Sequence, residues 1–435
     1  MKHKRKFGDA QLSKSSQRNP YHMSQSKLHQ LQVFHDKFQI LRSAQGNQYA
    51  FRKFEVARTF TVLVFTMILI YVMHMSYGWV LGSLWMVCLW VFGFFQFSSI
   101  IVHWVWRSSE AVLYTDALRR ADIMMEPITT KSTSSGENET LSFGSSCMQG
   151  WRRTMEDAHT LILLEEGGFF GVYDGHGGPS TSKFCGEHMY EFVSKAPAFL
   201  NGNIEKALYD GFMEIDNYLH GSGEAHRSGC TALVLYVRED DVYCANAGDS
   251  RCVFCTDTEV HPLSLDHKPF NPGEQIRIER AGGFVMNRRV NGALALSRAI
   301  GDFSFKRNAS LPWDQQAVTG APEVRTHRLN RDRDEFAVIA CDGIWDVMTN
   351  EQVIEFVRLL IQKRKPLGEI AEMLIDFCLS PSPFGMGCDN MSVIIIQFKR
   401  RPQGHSCEGS NSKESQLPIE VSPSASAASE MGLPT

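Results

Sequence analysis

Between Thr59 and Trp106 the chain contains no aspartate, glutamate, lysine or arginine. One membrane-spanning helix needs ~20 apolar residues, so this stretch is too long for one crossing and sufficient for two. Its two apolar runs are parted by Ser76-Tyr77-Gly78, and it starts too far into the chain to be a secretory leader. Arg52, Lys53 and Arg58 precede it and Arg107, Arg119 and Arg120 follow it. Basic residues on both sides fit a helical hairpin with both ends in the cytosol. Trp79, Trp85, Trp104 and Trp106 are placed to anchor it at the interface. A buried core hairpin of a soluble protein is the alternative.

A disulfide framework is also missing. The eleven cysteines are odd in number and unevenly scattered, which reads as a reducing compartment with free thiols. The one Cys-x-x-Cys, Cys252-Val-Phe-Cys255, lies in a strand-like run, where an offset of three puts the two thiols on opposite faces; a redox motif wants a strand-to-helix turn. No P-loop, zinc-ligand spacing or Ser-His-Asp arrangement is evident. A basic globular surface is lacking as well. Residues 1–58 hold twelve Lys/Arg against three Asp/Glu and residues 59–106 hold none, so a total of −4 leaves −13 for residues 107–435. Phosphate backbones reward clustered positive charge, so nucleic acid is excluded as the main partner. A cation-binding acidic cleft fits better.

These absences divide the chain into five parts. Residues 1–58 are a basic, flexible segment, rich in Ser, Gln and His, that stays loose or lies against anionic lipid. Residues 59–106 are the hairpin, contacting membrane lipid. Residues 107–140 form a juxtamembrane region and linker, with the polar run PITTKSTSSGENET at 127–140. Residues 141–400 are globular, and 401–435, rich in Ser, Pro and Glu, are a disordered tail. Strands are expected at Gly168–Tyr173, Phe336–Ala340 and Met391–Phe398, with a hairpin joining Thr231–Val237 to Asp241–Ala247. Helices are expected at about 180–195, 203–219, 273–281 and 350–363, the last opened by Thr349 and Gln352 at capping-box spacing. Adjacent strand pairs favour antiparallel sheets with packed helices, an α+β fold, over a doubly wound parallel sheet.

Four acidic turns carry the chemistry. Three follow apolar strands: Asp174-Gly175-His176, Gly248-Asp249-Ser250-Arg251 and Asp342-Gly343-Ile344-Trp345-Asp346. The fourth, Asp389-Asn390, immediately precedes one. Any one alone reads as an ordinary Asp-Gly type turn. Together they can converge at one sheet edge, where carboxylate oxygens hold Mg²⁺ or Mn²⁺. Upstream, Arg152 stands close to Glu156 and Asp157: a guanidinium fork for phosphate beside acids for a metal or its waters.

The runs QGWRRTMEDAH, YDGHGG, SGCTA, ANAGDSR, DHKP, RVNGALALSRAIGD, ACDGIWDVM and DNMS occur in this order over about 141–398. The chain thereby resembles the metal-dependent protein serine/threonine phosphatases of the 2C type. The resemblance implies a central antiparallel β-sandwich flanked by helices in four layers, α-β-β-α, with a binuclear Mg²⁺/Mn²⁺ centre at one end. It implies that Asp174 bridges both metals, that Gly175 lends a backbone carbonyl, and that Asp342 and Asp389 are further direct ligands. Glu156 and Asp157 would complete the site directly or through water. Asp249 and Asp346 match positions around a third, weaker metal site. Arg152 matches the phosphate-gripping arginine, and His176 the general acid. The implied reaction is direct hydrolysis of phosphoserine and phosphothreonine in proteins by a metal-bridged hydroxide. The implied enzyme is an integral membrane hydrolase with its N-terminus and a monomeric catalytic domain in the cytosol. Two departures stand out: Cys230 replaces a serine common in the family, and Asn308–Gln316 differs from the family's substrate-side flap, which bears on substrate preference.

Two rivals compete. Cys147-Met-Gln-Gly-Trp-Arg152-Arg-Thr satisfies the Cys-x-x-Gly-x-x-Arg phosphate loop of cysteine-nucleophile phosphatases. Ser146 where that family has His, and Glu156-Asp157 just downstream, count against it. A non-catalytic, membrane-tethered scaffold is the other, although no metal carboxylate is missing.

Overall fold

A computed structural model describes residues 122–222 and 228–400, together with the backbone of 419–420. The basic segment 1–58, the hairpin 59–106 and residues 107–121 lie outside the described residues. Among those described, no helix is long and apolar enough to cross a membrane.

Two six-stranded antiparallel sheets dominate. The first has the order β1-β2-β16-β15-β9-β10, formed by Ile123–Glu137 (β1), Leu141–Arg152 (β2), Arg251–Thr256 (β9), Val260–Pro262 (β10), Asp334–Ala340 (β15) and Met391–Phe398 (β16). The second runs β14-β8-β7-β4-β3-β17, from Ala158–Leu164 (β3), Gly167–Tyr173 (β4), Ala232–Arg238 (β7), Asp241–Ala247 (β8), Glu323–Arg328 (β14) and Ile419–Glu420 (β17). Three two-residue strands, Gly175–His176 (β5), Gly229–Cys230 (β6) and Ile300–Gly301 (β13), make a small separate sheet in the order β13-β6-β5.

The central strands are almost continuously apolar because both their faces are buried. In β16, Ile394 and Ile396 point between the sheets, with Phe143, Phe170, Leu235 and Phe254. Val393 and Ile395 point the other way, onto helices Asn350–Gln362 and Leu367–Cys378. The second sheet has a matching outer layer: Phe169, Val234 and Tyr236 meet Met189, Val193, Leu208 and Phe212 of helices Ser180–Lys195 and Ile204–Ser222. Helix, sheet, sheet and helix thus form four layers, and a single strand's alternation supplies two cores at once. Cys252 faces the inter-sheet core and Cys255 the helical one, as the offset of three requires.

Three of the expected helices start and end within a few residues of their expected bounds, and the fourth, Pro272–Arg280, is likewise where Gly282-Gly283 stops it. Helix Leu367–Cys378 has no counterpart in the sequence reading, although Glu369, Glu372 and Asp376 mark its polar face at helical spacing. The capping box forms in full. Gln352 N–H donates to Thr349 Oγ1 at 3.3 Å and Thr349 N–H to Gln352 Oε1 at 2.9 Å. Thr349→Ala should therefore lower stability by about 1 kcal/mol, seen as a Tm drop of roughly 2–4 °C with phosphatase activity retained.

One boundary needs correction. The polar run read as linker within 107–140 is largely strand: β1 pairs with β2 from Ile123↔Arg152 to Glu137↔Ser142, so the folded unit begins before residue 141. As an edge strand β1 has few buried positions, so it lacks the apolar alternation by which strands are recognised. Its backbone ladder, Thr133 Oγ1–H to Glu372 at 2.7 Å and the Lys131–Asp376 ion pair hold it instead. The tail 401–435 was expected to be disordered; Ile419–Glu420 pair with Ile162–Leu163 at the edge of the second sheet, and the rest lies outside the described residues.

Candidate active site

Every acidic turn adjoins a strand at the same end of the sandwich, three leaving one and the fourth entering one. β4 ends at Tyr173, so Asp174 follows; β8 ends at Ala247, ahead of Asp249; β15 ends at Ala340, ahead of Asp342; and β16 starts at Met391, just after Asp389. Because these strands are apolar and anchored in the core, the first polar residue past each one is fixed in space. The resulting cleft, of about 430 Å³, is lined by Arg152, Glu156, Asp174, Gly175, His176, Asp249, Asp342 and Asp389.

Within it Asp174, Asp249 and Asp342 each bring a carboxylate oxygen to within 4.8 Å of the others; Asp157, Asp174 and Cys341 form a second such group. Burial, then the charges of Asp342, Asp157, Asp249 and Asp389, push the Asp174 carboxyl well above the usual carboxylate range. Burial and the charges of Asp249, Asp389 and Asp346 do the same to Asp342. Asp157, beneath the cleft, accepts from Ser392 Oγ–H at 2.8 Å and is pushed up to about 7, mainly by burial. Asp249 is paired with Lys268. Asp346 is exposed and lies outside the cleft lining, where it still adds repulsion at Asp342.

Close backbone approaches shape this cluster. Gly175 lies against the Glu156 carbonyl and Gly343 against the Asn390 carbonyl, and in each case a Cβ has no room. Asn390 ties the upstream segment down: its Oδ1 accepts Glu156 N–H at 2.8 Å while its amide donates to Gln149 O and Thr154 O at 2.8 and 3.0 Å. Thr231 braces Asp174 from below, donating its N–H to Asp174 O at 2.8 Å and accepting Asp174 N–H on its hydroxyl at 3.1 Å. Arg152 Nη2 donates to Asp389 Oδ2 at 2.5 Å. Burial opposes the Arg152 charge, but Asp389, Asp342 and Asp174 outweigh it and hold the guanidinium more firmly protonated. His176 Nε2 lies 2.7 Å from Asp302 Oδ2; burial again opposes the charged form, and Asp302 outweighs it, raising the imidazole's pKa.

The structure thus brings together Arg152, Glu156, Asp157, Asp174, Gly175, His176, Asp249, Asp342 and Asp389, and leaves Asp346 at the rim. Sequence reading missed four participants. Asp302 and Lys268 sat inside quoted motifs, IGD and DHKP, but nothing local marks which side chain they meet. Arg289 and Asp122 also line the cleft, and Asp122 comes from the segment read as linker. The cysteine-nucleophile rival fails. Cys147 lies within the extended strand β2, not in a phosphate-cradling loop, and burial together with Asp157 pushes its thiol up to about 11. A nucleophilic cysteine needs the opposite shift.

The family model for protein phosphatase 2C matches residues 141–382. Protein phosphatase 2C homolog 2 of Schizosaccharomyces pombe is 46% identical over 288 residues, covering 63% of this chain and 78% of that protein. A probable protein phosphatase 2C of Arabidopsis thaliana is 38% identical over 328 residues, covering 64% of this chain and 92% of its own length. A crystal structure of a Toxoplasma gondii phosphatase superposes with a TM-score of 0.55 at 25% identity, over 67% of this chain and all of that one. With more than half its length matched by the family model, this chain belongs to the protein phosphatase 2C family and is a serine/threonine protein phosphatase.

Proposed function

We propose that the enzyme removes phosphate from phosphoserine and phosphothreonine in proteins with the help of two bound Mg²⁺ or Mn²⁺ ions, on the cytosolic face of a membrane. The observation that carries the metal reading is the crowding of Asp174, Asp249 and Asp342 within 4.8 Å of one another, with the Asp174 and Asp342 carboxyls both pushed well above the usual range by burial and by the neighbouring carboxylates. Hard oxygen donors of this kind suit Mg²⁺ and Mn²⁺, and a divalent cation relieves the repulsion. Asp174, the Gly175 carbonyl, Asp342 and Asp389 would hold the pair, with Glu156 and Asp157 completing it; Asp249 and Asp346 would serve a third, weaker site. When bound, such ions acidify water and offset the negative charge of the phosphoryl group.

The protein's own groups do the rest. Arg152 spends one N–H on Asp389 and offers the others to the phosphate, a charge-assisted fork. His176 protonates the departing serine or threonine oxygen, work suited to a positioned imidazole. Arg152→Ala should cut kcat/KM on a phosphothreonine peptide by about 10- to 100-fold, the worth of one or two charged hydrogen bonds, with Mn²⁺ affinity measured alongside it.

The uncharged run 59–106 with its basic flanks supports the membrane location. The sequons Asn138-Glu-Thr and Asn308-Ala-Ser are weak reporters of topology. Both amides are engaged, Asn138 Nδ2 with Leu164 O and Gly167 O at 2.6 and 2.8 Å, and Asn308 Nδ2 with Ala281 O at 3.0 Å. Protease accessibility in sealed vesicles is the better test: a catalytic domain cleaved only after the vesicles are opened would overturn the orientation. For activity, the full chain in detergent with Mn²⁺ should release phosphate from phosphoserine and phosphothreonine peptides but not phosphotyrosine peptides, and EDTA should stop it. Turnover that persists in EDTA would sink the metal reading.

A further inference from the structure

We propose that Asp302 is the positioning residue for His176, held against it by a strained turn and a glycine gap built for that contact. The inference deepens the reading of His176 as the proton donor and rests on it. Three short strands create the contact. In the small sheet β6 is central: Gly229 pairs with Gly301 on one side and with His176 on the other. This register puts His176 and the residue following Gly301 on either flank of Gly229. A Cβ on Gly229 would sit 2.7 Å from His176 Nε2 and closer still to Asp302 Oδ2. Glycine is thus what lets the two side chains meet at 2.7 Å across the strand.

Asp302 also adopts a conformation that a side chain resists. Its φ of 53° and ψ of 38° are left-handed, a region that aspartate and asparagine enter more readily than other side chains but still at a cost that glycine does not bear. Such a conformation persists only where the surroundings impose it. Here they do, through a fully buried ion pair. Lys306 Nζ donates to both oxygens of Asp216 at 2.8 and 2.6 Å, and Gly301 N–H and Trp313 Nε1–H donate to the same carboxylate at 2.8 and 2.7 Å. Gly301, Lys306 and Trp313 bracket Asp302, so helix Ile204–Ser222, through Asp216, clamps the turn that presents it. None of this machinery touches the carboxylates of the cleft.

The chemical consequence is the choice of ring nitrogen. Asp302 accepts the Nε2–H of His176 and fixes the plane of the imidazole. Nδ1 has no other hydrogen-bond partner among the described residues and is the nitrogen left for substrate. As a water oxygen bonds to phosphorus and the P–O ester bond breaks, the ester electron pair stays on the serine or threonine oxygen, and the Nδ1 proton joins it, leaving inorganic phosphate and the free hydroxyl. An acidic aryl leaving group such as p-nitrophenolate needs no such proton, and that difference supplies the test.

Kinetics of the full chain with saturating Mn²⁺ would be compared on a phosphoserine peptide and on p-nitrophenyl phosphate. Wild-type turnover of the peptide tests the phosphatase reading by itself, and its absence would overturn both. The informative quantity is the ratio of the two kcat values. Asp302→Asn keeps a residue that tolerates the left-handed turn, and Asp302→Gly removes the side chain and the strain together. Both should lower the peptide-to-aryl ratio by about 10²-fold, within the range a positioned general acid contributes, with peptide KM little changed. Gly229→Ala should separate the pair without removing either member and lower the ratio in the same direction. His176→Asn should show the same signature, and adding Asp302→Asn to it should cost nothing more. Parallel losses on both substrates, or losses that multiply in the double variant, would reduce Asp302 to a structural role and overturn the proposal. A His176→Asn variant with an unchanged ratio would overturn it too, while leaving metal-dependent phosphatase activity standing.

Discussion

Asp174→Asn should lower turnover of a phosphothreonine peptide by about 10³-fold or more while making the metal-free protein more resistant to heat. The first effect follows from the place of Asp174 in both ligand groups, with Asp249 and Asp342 and with Asp157 and Cys341; on the reading proposed above the variant would lose a ligand shared by both ions, and metal-ion catalysis is worth several kcal/mol of barrier. The second follows from the cost of the wild-type arrangement. Asp174 is buried and surrounded by Asp342, Asp157, Asp249 and Asp389, which raise its pKa well above the usual range. Asparagine preserves its shape and the backbone contacts with Thr231 but removes that charge. Thermal unfolding in EDTA, with wild type and variant side by side, reads it directly. A variant that melts lower than wild type in EDTA would show that the carboxylate's packing, not its charge, dominates the apo site.

Metal removal should have the largest effect on the whole protein, and its size should depend on pH in a fixed direction. Asp157, Asp174 and Asp342 all have folded-state pKa values raised above the ordinary 3.8. A raised carboxyl binds its proton more tightly in the folded state. Its contribution is therefore fully present below the unfolded value and lost as pH rises through the folded one. For Asp157 that window runs from 3.8 to about 7. EDTA-treated protein should thus melt at a lower temperature at pH 7.5 than at pH 5.5. Mn²⁺ should reverse the trend, because it binds the deprotonated carboxylates. At a thousand times its dissociation constant, one bound ion adds about 4 kcal/mol, or roughly 10 °C in Tm for a domain of this size. A metal-free protein whose Tm climbs steadily from pH 5.5 to 7.5 would mean the cluster is not under charge stress.

Much of this site was legible beforehand, for a local reason. A strand buried on both faces reads as an apolar run, and the polar residue that ends it must sit at the rim. Asp174, Asp249 and Asp342 follow such strands and Asp389 precedes one, but they come from two different sheets, so the expected single sheet edge is in fact one end of the sandwich. Cys252 and Cys255 were similarly decided by period two along β9. The edge strand β1 was not legible: with neither face buried, its serines and threonines carry no alternation. Cys147 matched a nucleophile's motif letter for letter, and only its place within extended β2 removed it.

Residue order alone thus determined the antiparallel α+β class and the acidic turns at strand ends, which are written in short-range alternation, while the ordered motifs carried the resemblance that implied the family and the sandwich. Tertiary structure alone decided that Asp302 meets His176 over Gly229, that Asp216 and Lys306 clamp the turn beside them, and that Asp122 reaches the cleft. The first two of these contacts join residues 53 to 126 positions apart in the chain, through strand register and burial, and no pattern within a local window encodes which side chain will stand opposite another.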